Sequence, residues 1–466
     1  MQPDRNRKVV VSFRPEHCIG WGVTAVLCLV PVFIWASIHP FSTIHGFIPT
    51  MLNLGRVAGL VGTVMYALNL VYATRLKFLE YWFGGLNRVY IAHHLLGGMA
   101  LIMLSFHPLL LALRYITTNM KQAALQLVPN GLFPVSALFD TQHEFHASVL
   151  QQWATMFGSI AFWGMVALLL VTFFIKLPYR LWLFTHKFLG AAFFIAGLHI
   201  LFISSDTSKH MGMKLYMLTI VAIGLAAFVY KTLASNIFVR RHRYSVDEVK
   251  VVAGNVTQIL MSPVEKAMPY KPGQFVFVRF TGGGPKISRE WHPFSISSAP
   301  SDKSLELSIK GLGDYTNELA HLQTGATAEV EGAYGRFSYT NYACKNQIWI
   351  AGGIGITPFL SMLKELPSEG YKVDLYYAVK TTSEFIDSEK LAQHAHARKD
   401  VRIIPHVGER EAGHLDIDYI EKYSGDLRGR EFYLCGPPPM MQGLRKQLRA
   451  RGIPATSIHS EEFAMS

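Results

Sequence analysis

Four histidines lie inside two long apolar runs: His93 and His107 in RVYIAHHLLGGMALIMLSFHPLLLALRYI, and His186 and His199 in LWLFTHKFLGAAFFIAGLHILFI. Read as helices rising about 1.5 Å per residue, the runs separate the first two imidazoles by roughly 21 Å and the second two by about 20 Å. Two helices that each carry a histidine near both faces of a ~30 Å hydrocarbon slab supply two axial ligand pairs at matched depths. That arrangement stacks two bis-histidine haems across a bilayer and lets electrons cross it. A lone histidine on an apolar helix is ordinarily a packing residue, but four at matched depth are costly in a membrane and mark function. His93-x-x-x-Gly97 and His186-x-x-x-Gly190 repeat a pattern in which a small residue one turn on lets a flat macrocycle approach the backbone. The repeat favours His93 over its neighbour His94, although Gly98 keeps His94 as an alternative. At about 100° per residue, the shorter gap in the second run returns to one helix face less well than the first, so tilt or a local bulge is expected there.

The elements that must position these side chains follow from the composition, which is split. Up to about residue 234 apolar runs dominate, and candidate spans at 19–38, 54–74, 88–113, 153–175, 181–204 and 213–234 are each long enough to cross hydrocarbon as helices. Six spans put both termini on one side. Arg5, Arg7, Lys8, Arg14, Arg75, Lys77, Arg88, Lys176, Arg180, Lys187, Arg240, Arg241 and Arg243 all fall at one face, against Arg114, Lys121 and Lys209 at the other. By the positive-inside rule both termini are cytoplasmic, with His93 and His186 the inner pair and His107 and His199 the outer pair. The first span follows a basic stretch without a small-residue cleavage site, so it reads as a retained anchor. A formal net charge of +12 is partly accounted for by this orientation, and no base-reading motif accompanies it, which excludes nucleic acid as a partner. Cys18, Cys28, Cys344 and Cys435 have no C-x-x-C spacing, arguing against a disulfide framework, a zinc site or an iron–sulfur cluster. Arg56, at the outer end of the second span, either faces a haem edge, where it would pair with propionates or attract an anionic product, or snorkels to the interface. His143 and His146 in TQHEFHASV are close enough for a metal, but exposed loop histidines are usually unliganded.

After VRRHRY at 239–244 the text turns to short alternating runs, YSVDEVKVV, VTQILMSP, QFVFVRF, LELSIKG and ATAEVEGAYG, as in a small antiparallel barrel. From about 346 apolar strands QIWIAGG, KVDLYYAV, VRIIPHV and EFYLCG alternate with helical or loop segments, as in a parallel α/β nucleotide-binding sheet. The expected domains are therefore a cytoplasmic segment at 1–18, a six-helix all-α transmembrane domain at 19–238, an antiparallel β-barrel at 239–340 and a Rossmann-like α/β domain at 341–466.

The segments EWHPFSISSAP and SIKGLGDYTNEL resemble the flavin-binding motifs of the ferredoxin reductase superfamily, and the first is most similar to the NADPH oxidase and ferric reductase branch. The resemblance implies that His292, Pro293, Phe294, Ser295 and Ser298 line FAD, and that Lys310, Gly313 and Thr316 meet its phosphates. Family members often carry arginine at the Lys310 position, so bidentate phosphate binding is lost here. IWIAGGIGITPFLSML forms a glycine-rich strand-to-helix turn that can hold a pyrophosphate, with Gly352, Gly353, Gly355, Thr357 and Pro358 as its contacts. YLCGPPPMM resembles the family's second nicotinamide motif, which implies Cys435 beside the nicotinamide and Gly436 and Pro437 shaping the pocket. The ending HSEEFAMS resembles the family's terminal aromatic signature, in which Phe463 stacks on the flavin and is displaced by nicotinamide. Lys380 with Thr381, Thr382 and Ser383 favours the 2′-phosphate of NADPH, although Lys380 reads equally as a solvated surface lysine.

The resemblance implies a multi-pass flavohaem oxidoreductase with FAD and two b-type haems, expected in a bacterial plasma membrane. Arg56, Cys435 and Phe463 are its candidate catalytic residues. Electrons from cytosolic NADPH would reach an extracytoplasmic acceptor, with O₂ giving superoxide preferred over an Fe(III) chelate or quinone. A subunit that delivers electrons to a partner protein is the rival of a different class. No calcium-binding loop or regulatory segment is evident, so constitutive activity is expected.

Overall fold

The structure is a computed structural model, and it describes residues 18–40, 44–127, 147–234, 239–284, 287–387, 391–394, 398–410 and 413–461. The chain divides into two compact units, one of residues 18–83 with 88–238 and the other built chiefly from residues 239–466.

The first unit holds six long helices: α1 Ile19–Ile38, α2 Phe47–Tyr72, α3 Leu86–Leu113, α4 Ala147–Phe174, α5 Tyr179–Phe202 and α6 Met211–Val229. All six are long and apolar enough to cross a membrane. With no water in hydrocarbon to satisfy backbone N–H and C=O groups, a predominantly apolar run of this length has no alternative to the helix there. The chain is a multi-pass membrane protein. Helices α2 and α4 begin several residues earlier than hydropathy alone places them, at Phe47 and Ala147. Side-chain hydrogen bonds tie the helices where apolar contact gives no preference between lipid and protein. The Thr24 and Tyr72 hydroxyls meet at 2.5 Å, and Tyr66 on α2 donates to the Leu189 carbonyl on α5 at 2.7 Å. Gly224 on α6 lets α2 approach closely, since a Cβ there would lie 3.0 Å from the Ala67 backbone. Helix α4 runs along α5, α6 along α2, and α1 beside α2.

The second unit contains two sheets. Strands β1 Arg241–Val252, β2 Val256–Pro263, β3 Phe275–Thr281, β4 His292–Ser295, β5 Leu305–Lys310 and β6 Thr327–Tyr334 form an antiparallel sheet in the order β4-β3-β6-β1-β2-β5. Its inward residues, among them Val246, Ile259, Val278, Leu307 and Val330, form one apolar core. The sheet is not a closed barrel, and it is compatible with the barrel-like domain that the alternating runs suggest. Its two edges come together at a bridge between Ile296 and Leu307, where the Ser297 N–H donates to the Glu306 carbonyl at 2.9 Å. The edge strand β4 is four residues long and contains Pro293, which has no N–H to extend a ladder.

Strands β7 Asn346–Gly352, β8 Lys372–Val379, β9 Val401–Val407, β10 Glu431–Cys435 and β11 Ile458–Glu461 form a wholly parallel sheet in the order β11-β10-β7-β8-β9. Both faces are buried, one around Trp349, Phe359 and Tyr377, the other around Ile350, Phe432 and Leu444. Helices α7 Thr357–Glu365, α8 Ile417–Ser424 and α9 Pro438–Ala450 accompany it. Asp374 on β8, 1% exposed, is held by Arg402 at 2.6 Å and Arg430 at 3.1 Å, so the buried carboxylate is compensated. The strand order reverses between β7 and β10, which is where ligands bind in open parallel sheets, at the strands' carboxyl ends. Gln258 to Asp387 at 2.9 Å and Ser301 to Glu365 at 2.6 Å join the two sheets of this unit.

Candidate functional site

In the membrane unit the four histidines form two opposed couples. His93 on α3 and His186 on α5 have ring centroids 6.3 Å apart, and His107 and His199 are 6.4 Å apart. A metal ion between two imidazole nitrogens, each bonded at about 2 Å, requires ring centroids roughly 6 Å apart. Both couples meet that requirement. Among the described residues no three metal-binding side chains converge. Opposed imidazole pairs suit an iron whose other four positions are filled by a porphyrin.

Hydrogen bonds prepare three of the rings for such a role. Nδ1 of His93 bonds the Asn69 carbonyl at 3.0 Å, that of His107 the Gly55 carbonyl at 2.8 Å, and that of His199 the Ala154 carbonyl at 2.7 Å. A carbonyl can only accept, so in each ring Nδ1–H donates and Nε2 keeps its lone pair for a metal. Glycines give the outer two rings room: a Cβ at Gly59 would lie 2.6 Å from His107, and one at Gly158 would lie 2.7 Å from His199. Gly97 and Gly190, which the sequence pattern assigns to macrocycle approach, instead serve helix packing, since added Cβ atoms would meet Asn69 at 3.0 Å and clash with Phe228. His94 lies edge-on to His93, with ring centroids 5.6 Å apart.

Arg56 follows Gly55 on α2, so it stands one residue from the carbonyl that holds His107. Its guanidinium is 3.4 Å from Asp206, whose carboxylate is also 3.1 Å from His39. The sequence pattern missed this outer cluster because its members are far apart along the chain. His143, His146 and Phe463 lie outside the described residues.

In the antiparallel sheet, β4 places His292, Pro293, Phe294 and Ser295 opposite Val278, Phe277, Val276 and Phe275 of β3. The Ser295 and Tyr315 hydroxyls are buried with no hydrogen-bond partner among the described residues. His292 stacks on Tyr315 at 3.7 Å, and burial lowers its basicity despite the nearby Glu290 carboxylate, so it is neutral at pH 7. Two orphaned hydroxyls beside stacked rings fit a polar, planar ligand such as a flavin. Tyr315 was not singled out in the sequence, although it sits inside the quoted motif. Ser298 is engaged in the fold, accepting from the Glu306 N–H at 2.9 Å and meeting the Tyr270 hydroxyl at 3.0 Å. Lys310 ends β5. Beyond it the Thr316 hydroxyl accepts from the N–H groups of Leu312 and Gly313 at 2.9 and 3.1 Å, which shapes the turn itself.

In the parallel sheet, the turns after β7 and β10 lie against each other. A Cβ at Gly355 would overlap the Cys435 carbonyl, and one at Gly436 would lie 3.0 Å from the Gly352 backbone. Gly353 differs: its φ is +54° and its Cβ position is open, leaving its backbone accessible beside the start of α7. Thr357 is buried and donates to the Ile354 carbonyl at 3.1 Å, with Pro358 next in the first turn of α7. Pro437 precedes α9. Cys435 pairs in register with Glu461 of β11, a buried carboxylate the sequence pattern did not single out. Burial, with Glu461 adding to it, pushes the Cys435 thiol well above its usual value. It is a neutral thiol at pH 8. In the native protein Cys435 should therefore resist iodoacetamide while the partly exposed Cys18 and Cys344 react; peptide mass spectrometry showing Cys435 labelled as fast as these would refute it. Lys380 is exposed after β8, and its N–H donates to Glu384 at 3.3 Å, which brings an acidic group to the same turn.

Three segments of the chain match known families. Residues 58–197 match the family described as ferric reductase like transmembrane component, 241–347 the FAD-binding domain, and 349–446 the oxidoreductase NAD-binding domain. The reductase component of the naphthalene 1,2-dioxygenase/salicylate 5-hydroxylase systems of Ralstonia sp. is 28% identical over 239 residues, covering 47% of this chain and 70% of that protein. The glycine betaine monooxygenase reductase subunit of Chromohalobacter salexigens is 30% identical over 210 residues, covering 42% and 56%. The mitochondrial ferric reduction oxidase 8 of Arabidopsis thaliana is 40% identical over 140 residues, covering 26% of this chain and 19% of that protein. A membrane-embedded ferric reductase segment followed by FAD-binding and NAD-binding domains is the NADPH oxidase and ferric reductase architecture. The chain is an oxidoreductase of that type, carrying out NAD(P)H-dependent electron transfer at a membrane.

Proposed function

We propose that the protein moves electrons from NADPH, through FAD and two b-type haems, across the membrane to an acceptor on the far side. The observation that carries this reading is the pair of opposed imidazole couples, 6.3 and 6.4 Å apart, in a chain that also has the FAD and NAD domains. When bound, FAD turns a two-electron hydride into single electrons, and haem iron carries them one at a time. His93 and His186 hold the inner iron, and His107 and His199 the outer. Ser295, His292, Phe294 and Tyr315 orient the flavin, while Lys310 and the turn around Gly313 and Thr316 lie toward its phosphates. Gly353 and the first turn of α7 hold the coenzyme pyrophosphate. Cys435 and Glu461 would flank the nicotinamide. Both termini lie in the cytoplasm of a bacterium, on the side where the coenzyme is made.

Lys380 selects NADPH over NADH by its charge on the 2′-phosphate. Lys380→Ala should raise the Michaelis constant for NADPH far more than that for NADH, by roughly 1 to 3 kcal/mol for one charged hydrogen bond. Equal effects on both coenzymes would remove the assignment.

The acceptor is O₂, reduced to superoxide near His107 and Arg56. An exposed haem edge suffices for O₂, and a neighbouring cation stabilises the product anion. Arg56→Ala should slow NADPH-driven superoxide formation several-fold without slowing flavin reduction; a rate unchanged, or both steps slowed together, would count against this role. The likeness to an Arabidopsis ferric reduction oxidase favours a second reading, in which a ferric chelate is the acceptor. Turnover of NADPH with and without air, with superoxide detection and against a ferric chelate, decides between them. Chelate reduction much faster than O₂ reduction, and insensitive to superoxide dismutase, would establish the ferric reductase.

A further inference from the structure

The four imidazoles are not held alike. His93, His107 and His199 are each fixed at Nδ1 by a main-chain carbonyl of a neighbouring helix, those of Asn69, Gly55 and Ala154. His186 has no such bond: among the described residues its Nδ1 is buried without a hydrogen-bond partner. One turn before it on α5, the Trp182 indole lies with its ring centroid 5.0 Å from the imidazole and its plane 18° from parallel. None of the other three has an aromatic ring stacked flat on it among the described residues.

These two differences bear on the same ligand. A carbonyl at Nδ1 does two things for a metal-binding histidine: it fixes the ring's rotation, and it raises the basicity of the ligating nitrogen. A stacked indole can do the first, because offset stacking resists rotation of either plane. It cannot do the second, having no acceptor to offer Nδ1–H.

We infer that Trp182 is a positioning residue for the inner ligand pair, fixing the plane of the His186 imidazole in place of the missing carbonyl bond. The inner pair then has one ligand that lacks the main-chain acceptor at Nδ1 that the other three have. A ligand without that hydrogen bond would stabilise an oxidised iron less, which would set the inner site apart from the outer one through a side chain that touches neither coenzyme nor acceptor. This inference rests on the haem assignment proposed above.

The test uses the detergent-purified holoprotein and two variants, Trp182→Leu and Trp182→Phe, read by haem content, by potentiometric titration and by the low-spin electron paramagnetic resonance of the oxidised protein. Those signals respond to the angle between the two axial ring planes, 62° for His93 and His186. In Trp182→Leu one of the two reduction steps should shift and one low-spin signal change while the other haem is unmoved; loss of that one haem counts the same way. Trp182→Phe, which keeps a flat ring, should stay with the parent. Two haems with parental signals in Trp182→Leu, or Trp182→Phe departing as far as Trp182→Leu, would overturn the inference and leave the haem assignment standing. A parent protein with fewer than two haems per chain would bring down both.

Discussion

Replacing His199 by leucine is expected to cut the haem content of the purified protein from two per chain to one. Leucine is apolar and of similar size, so the helix that carries position 199 should persist in the bilayer. The Ala154 carbonyl left by the imidazole lies within α4, where the helix's own N–H groups serve it. What is lost is one of the two imidazole nitrogens that would hold the outer iron. His107→Leu should remove the same haem, and His93→Leu or His186→Leu the other, so the two classes of variant should be spectrally complementary. Pyridine haemochrome content and reduced-minus-oxidised spectra make the measurement. Full content with unchanged low-spin spectra in a protein lacking both His186 and His199 would end the assignment.

Gly355→Ala is expected to be the most damaging small change in the coenzyme region. Its Cβ would overlap the Cys435 carbonyl, a backbone atom with no rotamer by which to retreat, so the turns after β7 and β10 must part. Overpacking of this kind costs about 1 to 3 kcal/mol and displaces backbone. The displaced atoms are those that would hold the pyrophosphate and the nicotinamide. A lower melting temperature and a Michaelis constant for NADPH raised at least tenfold should appear together in the full-length protein. Gly353→Ala is the contrasting change. Nothing crowds its Cβ, and its φ of +54° costs an alanine only about 1 to 2 kcal/mol. Equal coenzyme affinity in the Gly355→Ala protein and the parent would show that the contact of these two turns does not shape the site.

The membrane domain was legible in sequence because hydrocarbon leaves a long, predominantly apolar run one conformation, which is why the six apolar stretches coincide with α1 to α6 to within a few residues at most ends. The strands β1, β2, β5 and β6 were legible because apolar and polar residues alternate along them, and β3 because Phe275 to Val278 form a buried apolar run. The parallel strands β7 to β10 stood out as short apolar runs because both their faces are buried. Two strands escaped this reading. β4 is four residues of HPFS, whose proline hides the alternation, and β11 is IHSE near the end of the chain, where its single ladder with β10 places it. Where the two edges of the antiparallel sheet come together was equally invisible, because that depends on how the ends of β4 and β5 pack and not on the pattern within either.

At the candidate sites the amino-acid sequence by itself determined the residue types and the depth of the histidines, since helical rise converts spacing directly into height. Which rings oppose each other was decided by the tertiary structure. The gaps along α3 and α5 differ by one residue, about 100° of helix, yet the couples end 6.3 and 6.4 Å apart with α5 unbroken from Tyr179 to Phe202. No bulge absorbs the difference, because α5 is a continuous α-helix through both histidines. Tertiary structure alone also gave Gly97 and Gly190 to helix packing and seated the outer imidazoles on Gly59 and Gly158. It tied Arg56 to Asp206, set Glu461 beside Cys435, and left His186 to an indole instead of a carbonyl. Each of these is a contact between residues distant in the chain, and period and propensity describe only what a residue does to its own helix or strand. What it touches is set by how those elements pack.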